Sequence, residues 1–208
     1  TGFYIESGGQ VDDTGYIKSL PPFSEKMGGD GGGWEIEITS MRRASAGVIV
    51  HVGTVISGQP KVGDKAVAEV DATRRHDIMR NHTATHLLHK ALHTVLSDQA
   101  TQAGSLVAPD RLRFDFNHPE ALTSEQIERI ERMVNDAIAA DMPVQKQTKS
   151  LEEARKEGAM ALFGEKYGET VRTISILEGS FSSSTAGQQK GSFGSSTAER
   201  SKYSYELC

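Results

Sequence analysis

The 208-residue sequence contains one cysteine, Cys208, so no disulfide can form within the chain. A lone thiol is compatible with a reducing cytosol. No run of about 18 apolar residues occurs, so no membrane-spanning helix is expected. There is no basic excess either. The formal net charge is −5, which argues against a broad nonspecific grip on nucleic acid. Only local clusters, Arg74-Arg75 and Arg111/Arg113, are left as candidates for phosphate contact. No internal repeat is present. The sequence starts at Thr1 without an initiator methionine, and no closing element follows Cys208. The expectation is a piece of a longer protein, in which targeting signals cannot be judged. What remains is ordinary for a soluble chain of one or two domains, with 37% hydrophobic and 25% charged residues.

Residues 1–71 read as all-β. Short runs recur at Phe3–Ile5, Gly15–Lys18, Trp34–Thr39, Gly47–Val52 and Lys65–Val70, separated by turn clusters such as Gly28-Gly29-Asp30-Gly31-Gly32-Gly33 and Ser57-Gly58-Gln59-Pro60. Ile36/Ile38 and Val48/Val50/Val52 alternate with other residues, as half-buried strands require. Strands of this length and spacing predict a small β-barrel. The stretch Glu6-Ser7-Gly8-Gly9-Gln10 is a glycine-rich loop. It reads either as a plain β-turn or as a place where the backbone approaches a partner closely.

From Ala72 the pattern changes to α+β. A helix is expected from about Asp77 to Leu96, with Leu88, Leu92 and Leu96 as its apolar stripe. After Gln102–Val107 comes a strand, Leu112–Phe116. Thr123-Ser124-Glu125-Gln126 fits a capping box opening a helix buried through Ile127, Ile130, Val134 and Ile138. Val144–Thr148 is a candidate strand, and Ser150-Leu151-Glu152-Glu153 a second capping box. Gly158–Gly168 reads as a loop and Val171–Leu177 as a further strand. In residues 178–204, fifteen of 27 are Ser, Gly or Thr. That composition buries too little apolar surface to offset ordering entropy, so a flexible insertion is expected. Residues 205–208 then read as structured again.

The chemistry concentrates in the first helix. His82 and His86 are four residues apart, which on a 3.6-residue turn puts both rings within about 40° of one face. His89 and His93 continue the line. Such a pair is either a surface feature or a ready-made pair of zinc ligands. The metalloprotease motif needs Glu directly after the first His; Thr83 stands there, which excludes that reading. The only cysteine available as a third ligand is Cys208.

Several segments together resemble the editing region of alanyl-tRNA synthetases. They are Phe3-Tyr4-Ile5-Glu6-Ser7-Gly8-Gly9-Gln10, Arg80-Asn81-His82-Thr83-Ala84-Thr85-His86-Leu87-Leu88, Gln102-Ala103-Gly104-Ser105-Leu106-Val107, Arg111-Leu112-Arg113-Phe114-Asp115-Phe116, and the stretch from Gly158 to Gly168. Each is weak alone; five in order are specific. The resemblance implies a β-barrel followed by a zinc-containing α+β editing core. It further implies hydrolysis of the ester of tRNA for alanine mischarged with serine or glycine, in a cytoplasmic protein. One zinc ion would be held by His82, His86 and Cys208, with a fourth ligand expected beyond residue 208. Thr85 lies on the same side of the helix as the ligands, where its hydroxyl would pair with the serine hydroxyl, and Gln102 matches a family position beside the substrate. As ordinary residues they would be a helix threonine bonding its own backbone and a surface amide. ATP-dependent aminoacylation would lie outside these residues. Two other readings stand beside this one: a free-standing trans-editing protein, and a noncatalytic zinc-stabilised RNA-binding module.

Overall fold

The computed structural model describes residues 1–20, 33–97, 100–160, 168–177 and 202–207. The chain is α+β, with three sheets, two of them antiparallel throughout, and three α-helices among the described residues. It divides into two compact units. The first comprises Thr1–Thr83 and Gly104–Phe114, the second Ala84–Ala103 and Asp115–Cys208. The change of hydrophobic period at Ala72 falls within the first unit; the helix that begins there belongs to that unit up to Thr83 and to the second from Ala84.

In the first unit, β1 (Gly15–Ser19), β2 (Glu35–Arg43), β3 (Ile49–Ser57) and β4 (Ala66–Val70) form one antiparallel sheet in the order β3-β2-β1-β4. The expected barrel is thus met in its strands but not in its closure: β3 and β4 are the sheet edges among the described residues. Register runs Gly15↔Ile38 and Gly15↔Val70, with irregularities in β2 at Glu35/Ile36 and Ile38/Ser40. The core joins Phe3, Ile38 and Met41 to Ile5, Ile17, Ile36, Ile49 and Val70. Two details differ from the sequence reading. Phe3–Ile5 is not a strand, although Phe3 is buried. In β3 Ile49 packs on the core, while Val48 and Val50 are exposed and Val52 is half-buried. A run of Val, Ile and Val offers no polar residue to fix the phase.

Helix α1 (Ala72–Leu96) starts five residues before the expected Asp77. The Asp71 carboxylate accepts from the Arg74 amide at 2.9 Å, as an N-cap does. Strands β5 (Gln102–Val107) and β6 (Leu112–Phe116) pair with each other.

In the second unit, β7 (Val144–Ser150), β8 (Thr170–Leu177) and β9 (Lys202–Leu207) form an antiparallel sheet with β8 central. Strand β8 is buried on both faces, from Thr173 through Leu177. Helix α2 (Ser124–Ala139) carries the expected capping box: the Gln126 amide donates to Thr123 Oγ1 at 3.2 Å and the Thr123 amide to Gln126 Oε1 at 2.9 Å. Its buried residues are Ile130 and Ala137, not Ile127 and Ile138, which are exposed. Ala137 joins Leu87 and Ile176 in one core cluster, against which Val134, Met142 and Tyr203 pack. Helix α3 (Leu151–Lys156) is capped by Ser150 Oγ, which accepts from the Glu153 amide at 3.1 Å. Its buried Ala154 makes a second cluster with Val171 and Leu207.

Strand β9 begins at Lys202, so Lys202, Tyr203 and Ser204 belong to the sheet and not to the Ser/Gly-rich stretch. The remainder of that stretch, residues 178–201, lies outside the described residues, as do Leu162 and Phe163 of the Gly158–Gly168 loop. Polar Lys202 and Ser204 hid the strand: Lys202 reaches Glu157 from an exposed position and the buried Ser204 bonds Glu206.

Glu157, which closes α3, gathers three partners. Its carboxylate takes Lys149 Nζ at 2.5 Å, the Tyr205 hydroxyl at 2.8 Å and Lys202 Nζ at 3.2 Å. Those bonds, Lys149 foremost and then Tyr205, hold the carboxyl at about 2 against an ordinary 4.5. A depressed folded-state pKa contributes stability above the unfolded value that is lost as pH falls toward 2. We therefore expect Glu157→Gln to lower the urea midpoint at neutral pH, with the difference from wild type closing between about pH 4.5 and 2. A pH-independent difference would mean that packing, not charge, is at work there.

Candidate functional site

The site is built on α1 and on what holds it. Residues 1–13 form no regular strand, so much of their backbone is satisfied by side chains. Asp12 accepts from the Met41 amide at 2.9 Å and from the Glu6 amide. Asp13, 1% exposed, accepts from the Tyr4 amide at 2.5 Å and pairs with the Arg75 guanidinium. Arg75 also donates to the Gly2 carbonyl at 2.8 Å, and Arg74 to the Asp12 carbonyl at 2.6 Å. The cations considered for phosphate contact are thus engaged at home. Arg111 likewise takes Asp110 at 2.7 Å.

This scaffold presents the glycine-rich loop. Ser7 and Gln10 exchange backbone hydrogen bonds of 3.0 and 3.2 Å around Gly8 (φ +57°) and Gly9 (φ +83°). The loop lies against the end of β5: the Val107 amide donates to the Gly9 carbonyl at 2.8 Å and the Val11 amide to the Val107 carbonyl at 3.1 Å. A Cβ on Gly9 would stand 2.5 Å from the Ser105 carbonyl oxygen. The loop is therefore a tight turn whose backbone lies close against β5. Its last side chain, Gln10, sets its amide oxygen 2.7 Å from Nδ1 of His82. Asn81, beside His82, donates from Nδ2 to the Ala108 carbonyl at 2.7 Å and so ties this turn of α1 to the end of β5.

In the second unit, Thr85, His86, Leu87 and His89 are all buried on α1. His86 Nδ1 is 2.6 Å from Glu206 Oε2, and His89 Nδ1 is 3.2 Å from Glu206 Oε1. The Ser204 hydroxyl donates to the same Oε1 at 3.1 Å. The His93 ring stands edge-on to His89 at 4.4 Å between centroids. Glu206 is 1% exposed. Burial works to raise its pKa; the bonds from His86 and His89 outweigh that and hold it at about 2. It is an anion in the folded state.

Of the residues singled out from sequence, His82 and His86 each meet an acceptor, in the first and second unit respectively. Thr85 is buried. Gln102 opens β5, and its Oε1 is shielded from solvent with no hydrogen-bond partner among the described residues. Cys208 lies outside the described residues; it follows Leu207, the last residue of β9. Among the described residues no set of three or more His, Cys, Asp or Glu side chains is arranged to hold a metal ion. The imidazoles themselves suit one. A neutral ring whose Nδ1 donates to a carbonyl or carboxylate oxygen carries its lone pair on Nε2, which is how ligating histidines are usually prepared. Gln10, Glu206 and Ser204 were not assigned roles from sequence. No local signal marked them: Ser204 and Glu206 share one face of a strand, but that Glu206 is buried and requires donors emerges only from the fold.

No family model matches the chain. Curated proteins do. The alanine–tRNA ligase of Chloroflexus aurantiacus is 47% identical over 189 residues, which are 88% of this chain and 20% of that protein. That of Roseiflexus sp. is 53% identical over 176 residues, 85% and 18% respectively. That of Thermus thermophilus is 52% identical over 180 residues, 86% and 19%. The chain spans about one fifth of the length of the curated relatives it matches.

The two loop glycines separate conformation from crowding. Gly8→Ala meets nothing within 4 Å and bears only the positive-φ cost, while Gly9→Ala bears that cost and a clash with backbone. A left-handed non-glycine residue costs about 1–2 kcal/mol, and urea unfolding should place Gly9→Ala at least about 1 kcal/mol below Gly8→Ala. Equal losses would show that the loop simply moves off β5.

Proposed function

Since the chain belongs to the alanine–tRNA ligase family, we propose that it is the family's editing region, a zinc-dependent deacylase. Its substrate is tRNA for alanine mischarged with serine or glycine. Water adds to the ester carbonyl, the bond to the terminal ribose oxygen breaks, and the products are free amino acid and free tRNA. Charging of the tRNA with alanine, using ATP, is assigned to residues of the longer protein outside this chain, in the cytoplasm. The chemical need is general. A pocket sized for alanine rejects poorly an isostere that adds one hydroxyl, so discrimination requires a second, hydrolytic site.

The observation that carries the reading is the pair of prepared imidazoles: His82 bonded through Nδ1 to Gln10 and His86 bonded through Nδ1 to Glu206. Zinc would be held by His82, His86 and Cys208, with a fourth ligand from beyond residue 208. When bound, it supplies a Lewis-acid centre that orients the substrate's amino group or lowers the pKa of water. The chain's own residues do the selecting. The Thr85 hydroxyl is the group assigned to the serine hydroxyl. The Gln102 amide oxygen is an acceptor shielded from water, suited to an N–H or O–H of the aminoacyl end. Glu206 keeps its charge because His86 Nδ1 and the Ser204 hydroxyl bond to it and His89 Nδ1 stands 3.2 Å away.

The test is deacylation of serine- and alanine-charged tRNA, with and without a chelator. Serine-charged tRNA should be hydrolysed, alanine-charged tRNA spared, and chelation should abolish the difference. Thr85→Val keeps the shape and removes the hydroxyl. It should cost about 1–3 kcal/mol, roughly 5- to 150-fold in rate, for the serine substrate alone. Equal hydrolysis of both tRNAs would refute editing; an unaltered serine rate in the variant would remove Thr85 from the site.

A further inference from the structure

We propose that Gln10 and Glu206 are positioning residues, each locking one imidazole of α1 as its Nδ1–H tautomer and so setting how strongly that ring's Nε2 takes a divalent metal ion. The ligand role rests on the zinc reading above; the orientation rests on geometry alone. Glu206 Oε2, 2.6 Å from His86 Nδ1, is a carboxylate oxygen and accepts only. Gln10 Oε1, 2.7 Å from His82 Nδ1, is likewise an acceptor. Both rings therefore carry their proton on Nδ1, and a neutral ring has one proton to place.

The two supports differ in kind. Gln10 is a neutral amide carried by a loop whose Gly9 tolerates no side chain. Glu206 is a buried anion whose other oxygen is taken by Ser204 at 3.1 Å and faces His89 at 3.2 Å, so the carboxylate cannot turn away from His86. A carboxylate raises the basicity of a ligating imidazole more than an amide does. The two histidines are thus unequal ligands, with His86 the stronger donor.

The experiment uses the 208-residue chain labelled with 15N-histidine. Two-bond 1H–15N correlations on the metal-free protein at about pH 8, above the ordinary histidine range, read each tautomer directly. Zinc affinity is measured in the same buffer by competition with a chromogenic chelator. Wild type should show Nδ1–H at both His82 and His86. Glu206→Leu should shift His86 toward the Nε2–H form, leave His82 unchanged, and weaken zinc about 10- to 100-fold. Glu206→Gln restores an acceptor and should restore the His86 tautomer and most of the affinity. Gln10→Leu should move His82 alone, with a smaller loss of affinity. An unchanged His86 tautomer and affinity in Glu206→Leu would overturn the proposal. Should that variant not fold, an unchanged His82 in Gln10→Leu would overturn it instead. Tautomers that follow the substitutions while neither this chain nor the longer protein that supplies the fourth ligand binds zinc would refute the zinc reading and leave only the tautomer assignment standing.

Discussion

The second unit depends on one buried anion. A carboxylate moved out of water without partners costs several kcal/mol, more than a domain can usually spare. Glu206 is 1% exposed and ionised, so its location is tolerable only where donors converge. They come from two directions: His86 and His89 one turn apart on α1, and Ser204 two residues away on β9. This fixes more than a contact. A slip of β9 by one residue would turn Glu206 to the other face of its strand and leave two imidazoles and a carboxylate unpaired. Apolar neighbours such as Leu207 and Ile176 supply burial energy but would accept several near-equivalent packings. The anion supplies uniqueness.

The first unit solves a different problem with the same means. Its opening residues make no regular strand, yet Phe3 is core. Asp12 and Asp13 therefore act as a surrogate sheet edge, taking up the amides of Tyr4, Glu6 and Met41. Arg75 neutralises the more buried of the two and reaches Gly2 as well. The consequence is a loop fixed at both ends, with Gly9 against β5 and Gln10 aimed at His82. A loop that only linked strands would not need two aspartates and an arginine to hold it.

Much of this was legible in the residues, and the remainder was hidden for identifiable reasons. The α+β class, the strands β1, β2, β4, β6, β7 and β8 and the capped α2 follow from alternation, turn clusters and a capping box, all local signals. The inward phase of β3 and the buried face of α2 were misread because runs of Val and Ile look alike from either side; only tertiary packing separates Ile49 from Val50, or Ile130 from Ile138. Strand β9 was partly lost because Lys202 and Ser204 sit in a compositionally flexible stretch, and what stabilises them, Glu157 and Glu206, is not visible from composition. At the site, the histidine pair was visible because helical spacing is local. Its supports were not, because Gln10 lies 72 residues from His82 and Glu206 lies 120 from His86.

That asymmetry says something about α1. A helix that only packed would bury an apolar stripe, and Leu87, Ala91 and Leu92 supply one. Yet the same helix also buries Thr85, His86 and His89, each of which must be compensated by a hydrogen bond or an ion pair. Replacing the histidine–carboxylate cluster with apolar residues of similar volume would cost little stability and often gains some. A sequence that keeps the expensive version departs from local consistency where a ligand or a reaction requires it, and such departures mark functional sites more reliably than the histidine spacing does. On this argument the strongest sign of chemistry in the chain is not His82-x-x-x-His86 itself. It is the polarity that the fold accepts one turn further in, around an anion whose burial stability alone does not require.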